Sequence, residues 1–134
     1  MLEKKIGGIS PVFLRRFESL VRDNSNYGKG SSNDQYVTSK FFANAYEFYL
    51  YAYFIGVAHS YRLEIDEDDD TIKFWEIENW RPKEIANCLI ASALGETNLD
   101  LIAMEHMEEN GINKEIRKVR STIEAFANGG FELI

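Results

Sequence analysis

The stretch from Phe41 to His59, FFANAYEFYLYAYFIGVAH, most constrains what this chain can fold into. It is dense in Phe and Tyr, and Glu47 is its one residue with a formal charge at neutral pH. Phe41, Ala45, Phe48, Ala52, Ile55 and His59 recur at alternating spacings of four and three, which lays them along one seam of a helix. Phe42, Tyr46, Tyr49, Tyr53 and Gly56 make a second seam beside it. A helix with two adjacent apolar seams must be covered over most of its girth, so this segment is expected to be the central helix of a small core. Its apolar run, 41–58, approaches the lower limit of a membrane span. Asn44, Glu47 and the interior tyrosines would lack partners in hydrocarbon, so the segment reads as a core helix with no membrane contact.

With 134 residues the chain reads as one domain, long enough to bury about two-thirds of its unfolded surface. Its composition, 45% hydrophobic and 28% charged, is that of a globular protein and not of a disordered one. The lone Cys88 excludes an intramolecular disulfide and a cysteine-rich zinc site, and it favours a reducing compartment. The opening MLEKKIGGISP has no apolar run long enough for a secretion signal, so the expected location is the cytoplasm.

Charge is concentrated in one window. Residues 64–78 hold eight acids against one base, Lys73, and so carry the whole net charge of −7. Residues 1–62 lean basic, with eight Lys or Arg against five acids. Inferences about partners therefore belong to patches and not to the average surface.

Ser10-Pro11 reads as a helix start, with Phe13, Phe17, Leu20 and Val21 as its buried face and an end near Arg22. Residues 23–35, DNSNYGKGSSNDQ, read as a flexible loop. The GKGSS within them is not a phosphate loop: Gly30 follows Lys29 where Ser or Thr is needed, and no glycine stands four residues before. Thr38 or Ser39 suits a cap for the central helix. Tyr61–Ile65 and Thr71–Ile77 alternate weakly around the acidic run, which fits an antiparallel hairpin, with a continuous acidic loop at 64–70 as the competing reading. Trp75 and Trp80 are expected to pack this segment onto the core.

Pro82 opens a helix with Ile85, Leu89 and Ala93 buried and Gly95 just past its end. Thr97 with Asp100 resembles a capping box for a helix through Leu99, Ile102, Ala103 and Met107, closed by Asn110-Gly111. The last helix starts at Asn113, has Ile112, Ile116, Val119, Ile123 and Phe126 at four-three-four-three spacing as its apolar stripe, and ends at Asn128-Gly129-Gly130. The fold class expected is mainly α: a single-domain bundle of about five helices around the aromatic helix, with room for one short hairpin.

Few residues point to chemistry. Glu47 lies between aromatic seams but shares a polar strip with Asn44 and Tyr51, so a structural role is expected. His59 and His106 meet no metal-ligand spacing, and Glu105 and His106 point different ways on a helix. Asp66, Glu67, Asp68, Asp69 and Asp70 lack the glycine and terminal glutamate of a calcium-binding EF-hand loop, which leaves a solvated loop or a docking patch for a basic partner. Lys114, Arg117, Lys118 and Arg120 put four bases opposite the apolar stripe of the last helix, a face suited to nucleic-acid phosphates. No nucleophile–histidine pair, catalytic acid pair or dinucleotide fingerprint is recognisable, so no cofactor is expected and the sequence argues for binding over catalysis.

Three segments together resemble a known family: YVTSKFFANAYEFYLYAYFIGVAHSYR (36–62), KFWEIENWRPKEIANCLIASALGETNLDLI (73–102) and IEAFANGGFELI (123–134). In that order they are similar to the small accessory proteins found beside dnd gene clusters, the fourth dnd system-associated family. Those clusters install phosphorothioate sulfur in bacterial DNA and restrict unmodified DNA. The resemblance covers about residues 36–134 and implies a setting, DNA modification or defence, with no catalytic residue to carry over. The expected function is a non-enzymatic accessory protein docking on larger proteins of such a system, with a nucleic-acid-binding regulator as the alternative. Homo-oligomerisation stays open, because the central helix has more apolar surface than four short neighbours cover.

Overall fold

Two helices lie backbone against backbone at the centre of this fold, and everything else packs around them. The computed structural model describes residues 2–25, 45–97, 99 and 107–134. In chain order these form helix α1 (Leu2–Gly7), strand β1 (Val12–Leu14), a 3-10 turn (Arg15–Phe17), helix α2 (Glu18–Asn24) and helix α3 (Ala45–Ala58). Strand β2 (Thr71–Lys73), a second 3-10 turn (Ile77–Asn79), helix α4 (Lys83–Thr97) and helix α5 (Glu109–Leu133) follow. The architecture is mainly α, with five α-helices and a two-stranded antiparallel sheet among the described residues.

The principal pair is α3 with α5. Both seams of α3 point inward: Ala45, Phe48 and Ala52 from one and Tyr49, Tyr53 and Gly56 from the other are buried. Small residues let the backbones touch. A Cβ built on Gly130 would collide with the carbonyl oxygen of Ala52, and one on Gly56 with that of Phe126. Ala52 and Gly56 stand one turn apart, as do Phe126 and Gly130, so the contact is reciprocal and antiparallel. This is why Asn128-Gly129-Gly130 does not end the last helix as its composition predicts. The glycines are spent on close approach, and α5 continues to Leu133. At its other end α5 begins at Glu109, so Asn110-Gly111 lies inside its first turn and Asn113 is not the start.

The segment after Ser10 departs furthest from the sequence reading. Val12–Leu14 is a strand, and the helix begins only at Glu18. Nor does β2 pair with Tyr61–Ile65: its partner is β1, with Val12 opposite Lys73, Phe13 opposite Ile72 and Leu14 opposite Thr71. The ladder extends at both ends, since the Phe74 N–H donates to the Pro11 carbonyl at 2.8 Å and the Arg15 N–H to the Asp70 carbonyl at 2.9 Å. Pro11, Phe13 and Arg15 thus face β2, and by the alternation of an antiparallel ladder the backbone groups of Val12 and Leu14 face the opposite edge.

Side chains fill that second edge. The Val12 N–H donates to Glu124 Oε2 at 3.0 Å and the Leu14 N–H to Asn128 Oδ1 at 2.8 Å. The Val12 carbonyl accepts from the Tyr49 hydroxyl at 3.0 Å and from Asn128 Nδ2 at 3.2 Å. Glu124 and Asn128, one turn apart on α5, and Tyr49 on α3 therefore do the work of a third strand. Residues 61–65, without a strand of their own, cross α5, where the Leu63 N–H donates to the Ala125 carbonyl at 2.9 Å.

Rings complete the core. Phe13 meets Phe74 edge-on at 5.4 Å, and Tyr49 meets Trp80 at 5.8 Å and Phe131 at 5.8 Å, both T-shaped. Such pairs add about 0.5–1.5 kcal/mol beyond the burial of each ring. Trp80 is fully buried with its indole N–H donating to the Trp75 carbonyl at 3.0 Å, but Trp75 itself stays 48% exposed, against the expectation that both pack inward. In α4, Ile85, Leu89 and Ala93 are buried as their spacing predicts. Gly95 is not its C′ residue, because the helix runs on to Thr97, whose hydroxyl donates to the Ala93 carbonyl at 2.6 Å. Helix α1, which the sequence reading did not anticipate, buries Ile6.

Several expectations fall outside the described residues: the Thr38 or Ser39 cap, the first turn of the aromatic helix, the capping box at Asp100 with most of its helix, and the 23–35 loop beyond Ser25. Asp23 and Asn24 close α2.

Two predictions follow from this packing. Gly130→Ala should cost about 1–3 kcal/mol through the collision with Ala52, whereas Gly95→Ala, which meets nothing within 4 Å, should stabilise by about 0.5–1 kcal/mol. Urea denaturation of both variants measures the contrast. Asn128→Ala should cost about 1–3 kcal/mol for the orphaned Leu14 N–H alone, and Tyr49→Phe about 1 kcal/mol, since the Val12 carbonyl keeps the Asn128 amide.

Candidate functional site

The four bases singled out in the last helix lie within two turns on the exposed side of α5, opposite Val119 and Ile123. The helical repeat divides them between two shallow basins. Lys114, Arg117 and Lys118 line the first, of about 490 Å³, with Ser121 and Thr122. Across it stand Arg62, brought there by the chain crossing α5, and Glu96 near the end of α4. Arg117 and Arg120 line the second, of about 270 Å³, facing Lys5, Lys73 and Glu76. Arg117 belongs to both.

Lys5, Arg62 and Lys73 are the functional candidates that sequence reasoning missed. They come from three separate places in the chain, and no spacing in the sequence connects them with 114–120. Some of the bases are paired: Lys118 with Glu115 at 3.0 Å, Arg62 with Glu64 at 2.8 Å, Arg120 with Glu124 at 3.6 Å and Lys5 with Glu109 at 3.5 Å. Among the described residues Lys73, Lys114 and Arg117 make no ion pair.

The acidic run Asp66–Asp70 is exposed throughout and leads into β2. Its two ends are fixed differently. Asp70 is gripped by Arg15, side chain to side chain at 3.0 Å and backbone to backbone at 2.9 Å. Asp66 turns back through its N–H, which donates to Asp69 Oδ2 at 2.8 Å. Glu67 and Asp68 form the outer tip. Among the described residues no three His, Cys, Asp or Glu side chains are grouped to hold a metal ion.

Glu47 is half-buried on α3, and His59 is exposed just past its end; His106 lies outside the described residues. The helix ends there through Ser60 in the left-handed region at φ 50°, with the Ser60 N–H donating to the Val57 carbonyl at 3.0 Å and the Tyr61 N–H to that of Gly56 at 2.8 Å. Residues 59–61 thus serve a helix terminus. Tyr51 and Phe54 remain exposed on α3. No helix among the described residues is long and apolar enough to cross a membrane.

The carboxyl most altered by its surroundings belongs to the fold and not to either basin. Burial raises the Glu124 pKa, with the Val12 N–H and the Arg120 guanidinium opposing the rise. Burial also holds the Tyr49 hydroxyl well above its ordinary range, which keeps it a donor.

Comparisons of the chain with protein-family models, with curated proteins and with solved structures return no match.

The raised Glu124 pKa sets a pH dependence. The folded state binds this proton more tightly than the unfolded chain, so stability from this group is full below the ordinary glutamate value of 4.5 and is lost as pH rises through the raised one. Glu124→Gln keeps an acceptor for the Val12 N–H and removes the buried charge. The variant should gain stability relative to the parent as pH climbs from 4.5 towards neutrality, read by urea denaturation across that range.

Proposed function

We propose that the protein is a docking module that assembles with larger proteins of a bacterial DNA-modification or defence system, meeting a basic partner surface through its acidic tip. The observation that carries this reading is the bracing of the tip: Arg15 holds Asp70 by side chain and backbone, and Asp69 closes the turn onto the Asp66 N–H. An exposed charged loop already held in one conformation loses little entropy on docking. Complementary charge raises the rate and selectivity of the encounter. The rigid aromatic core beneath it supplies the platform.

The resemblance of residues 36–134 to the dnd-associated accessory proteins supplies the setting, phosphorothioate modification or restriction of DNA. In this reading the protein acts by binding, and no chemical step is asked of Glu47, His59 or His106.

The test is a pull-down of the tagged protein from its native host, with and without nuclease, beside the double variant Glu67→Lys, Asp68→Lys. Recovery of modification or restriction proteins that survives nuclease and falls at least about tenfold in the variant is the expected result, like charges at an interface being costly. Full recovery by the variant would remove the tip from the reading. Recovery of no such protein would remove the setting.

A further inference from the structure

We infer that the exposed face of α5, widened by Lys5, Arg62 and Lys73, is a surface that binds the phosphate backbone of double-stranded nucleic acid. The inference stands on this face alone and does not depend on the acidic tip or on the setting proposed above.

Concave shape and convergent charge coincide here. Bases from α1, the 61–63 crossing, β2 and α5 line two adjoining basins that share Arg117. Besides the stripe on α5, this face gathers bases from three other segments: Lys5 ties α1 to Asn113 and Glu109 and Arg62 lies over the Phe126 ring, while Lys73, Lys114 and Arg117 are exposed. Lys73, Lys114 and Arg117 have no carboxylate partner among the described residues, so their charge is available to an anion at short range. The pairs made by Arg62 and Lys118 involve exposed side chains, worth only about 0–1 kcal/mol each, which a phosphate can replace. The Arg117 guanidinium, placed between the basins, has the forked geometry that grips phosphate oxygens. Ser121 and Thr122 in one basin and Ser10 in the other add hydroxyl donors.

The net charge of −7 does not oppose this, because the Asp66–Asp68 end of the acidic run lines neither basin. Each basin is lined by a single carboxylate, Glu96 or Glu76, against several bases. The lining also chooses the form of nucleic acid. No Phe, Tyr or Trp lines either basin, so unstacked bases would find no platform as they do on single-strand binders. Distributed point charges and guanidinium groups suit the regular phosphates of a duplex, read without regard to sequence.

The test is fluorescence anisotropy of the purified full chain with a labelled duplex of roughly 30 base pairs, titrated over a range of salt. Contacts to about four phosphates predict a slope of log affinity against log salt of about −3.6. Arg117→Ala should reduce that slope by about 1, and the double variant Lys114→Glu, Arg117→Glu should weaken binding at least about tenfold at low salt. Lys73→Glu, from the second basin, should weaken it as well, while Glu67→Lys at the tip should not. All these side chains are exposed, so unchanged thermal melts separate loss of contact from loss of fold. Absence of duplex binding at low salt, binding unaffected by the Lys114 and Arg117 reversals, or tighter binding of the single strand would each overturn the proposal. Self-association without DNA binding, abolished by Glu67→Lys, would also overturn it and give the basic face to the acidic tip of another copy.

Discussion

The outer edge of β1 is the point on which the rest of the structure depends. A strand of three residues has too few ladder bonds to hold itself in place, and its second edge is turned into the protein, half-buried at Val12 and buried at Leu14. Glu124, Asn128 and Tyr49 supply the missing partners, at 2.8 to 3.2 Å. This clamp ties the N-terminal segment to α5 and α3, and through the β1–β2 ladder it also fixes the Asp70 end of the acidic run. It explains why α5 buries a carboxylate and an amide that would otherwise be costly in a core. Asn128 is satisfied on both sides of its amide, also donating to the Glu124 carbonyl at 2.7 Å, so the cluster forms one connected network.

Close helix packing makes the clamp reachable. Glu124 and Asn128 could not approach β1 if α5 stood a normal interhelical distance from α3, and Gly56 and Gly130 remove that distance. The same approach lets the 61–63 crossing lie on α5, where the Leu63 N–H bonds to the Ala125 carbonyl and Arg62 sits over the Phe126 ring at 5.0 Å. The packing that builds the core thus also carries Arg62 to the basic basin. The two charged surfaces are consequences of the same framework: one braced where β2 begins, the other assembled along the solvent side of α5.

Much of this was legible in the residues. The two seams from Ala45 to Gly56, apart from half-buried Tyr46 and Ile55, the Ile85–Leu89–Ala93 stripe and the Val119–Ile123–Phe126 part of the last stripe are buried as their periods require, because burial of an amphipathic face is a local property of spacing. The bases of α5 and the acids of 66–70 were likewise legible as patches. What failed were the readings that rest on single residues. Ser10-Pro11, Gly95 and Asn128-Gly129-Gly130 all carry the chemistry of helix ends, yet none of them ends or begins a helix here. A proline at the head of a strand loses only a donor it does not need, and a glycine at a helix crossing is chosen for its missing Cβ and not for its backbone freedom.

The sequence by itself determined the helical class, the central position of the aromatic helix and the segregation of charge, since each follows from period or local composition. Tertiary structure decided the partner of β2, the continuity of α5 and the gathering of Lys5, Arg62 and Lys73 beside Arg117. Those outcomes depend on contacts between segments far apart in the chain. A backbone edge, a glycine and a lone base carry no mark in the sequence of what will be brought against them.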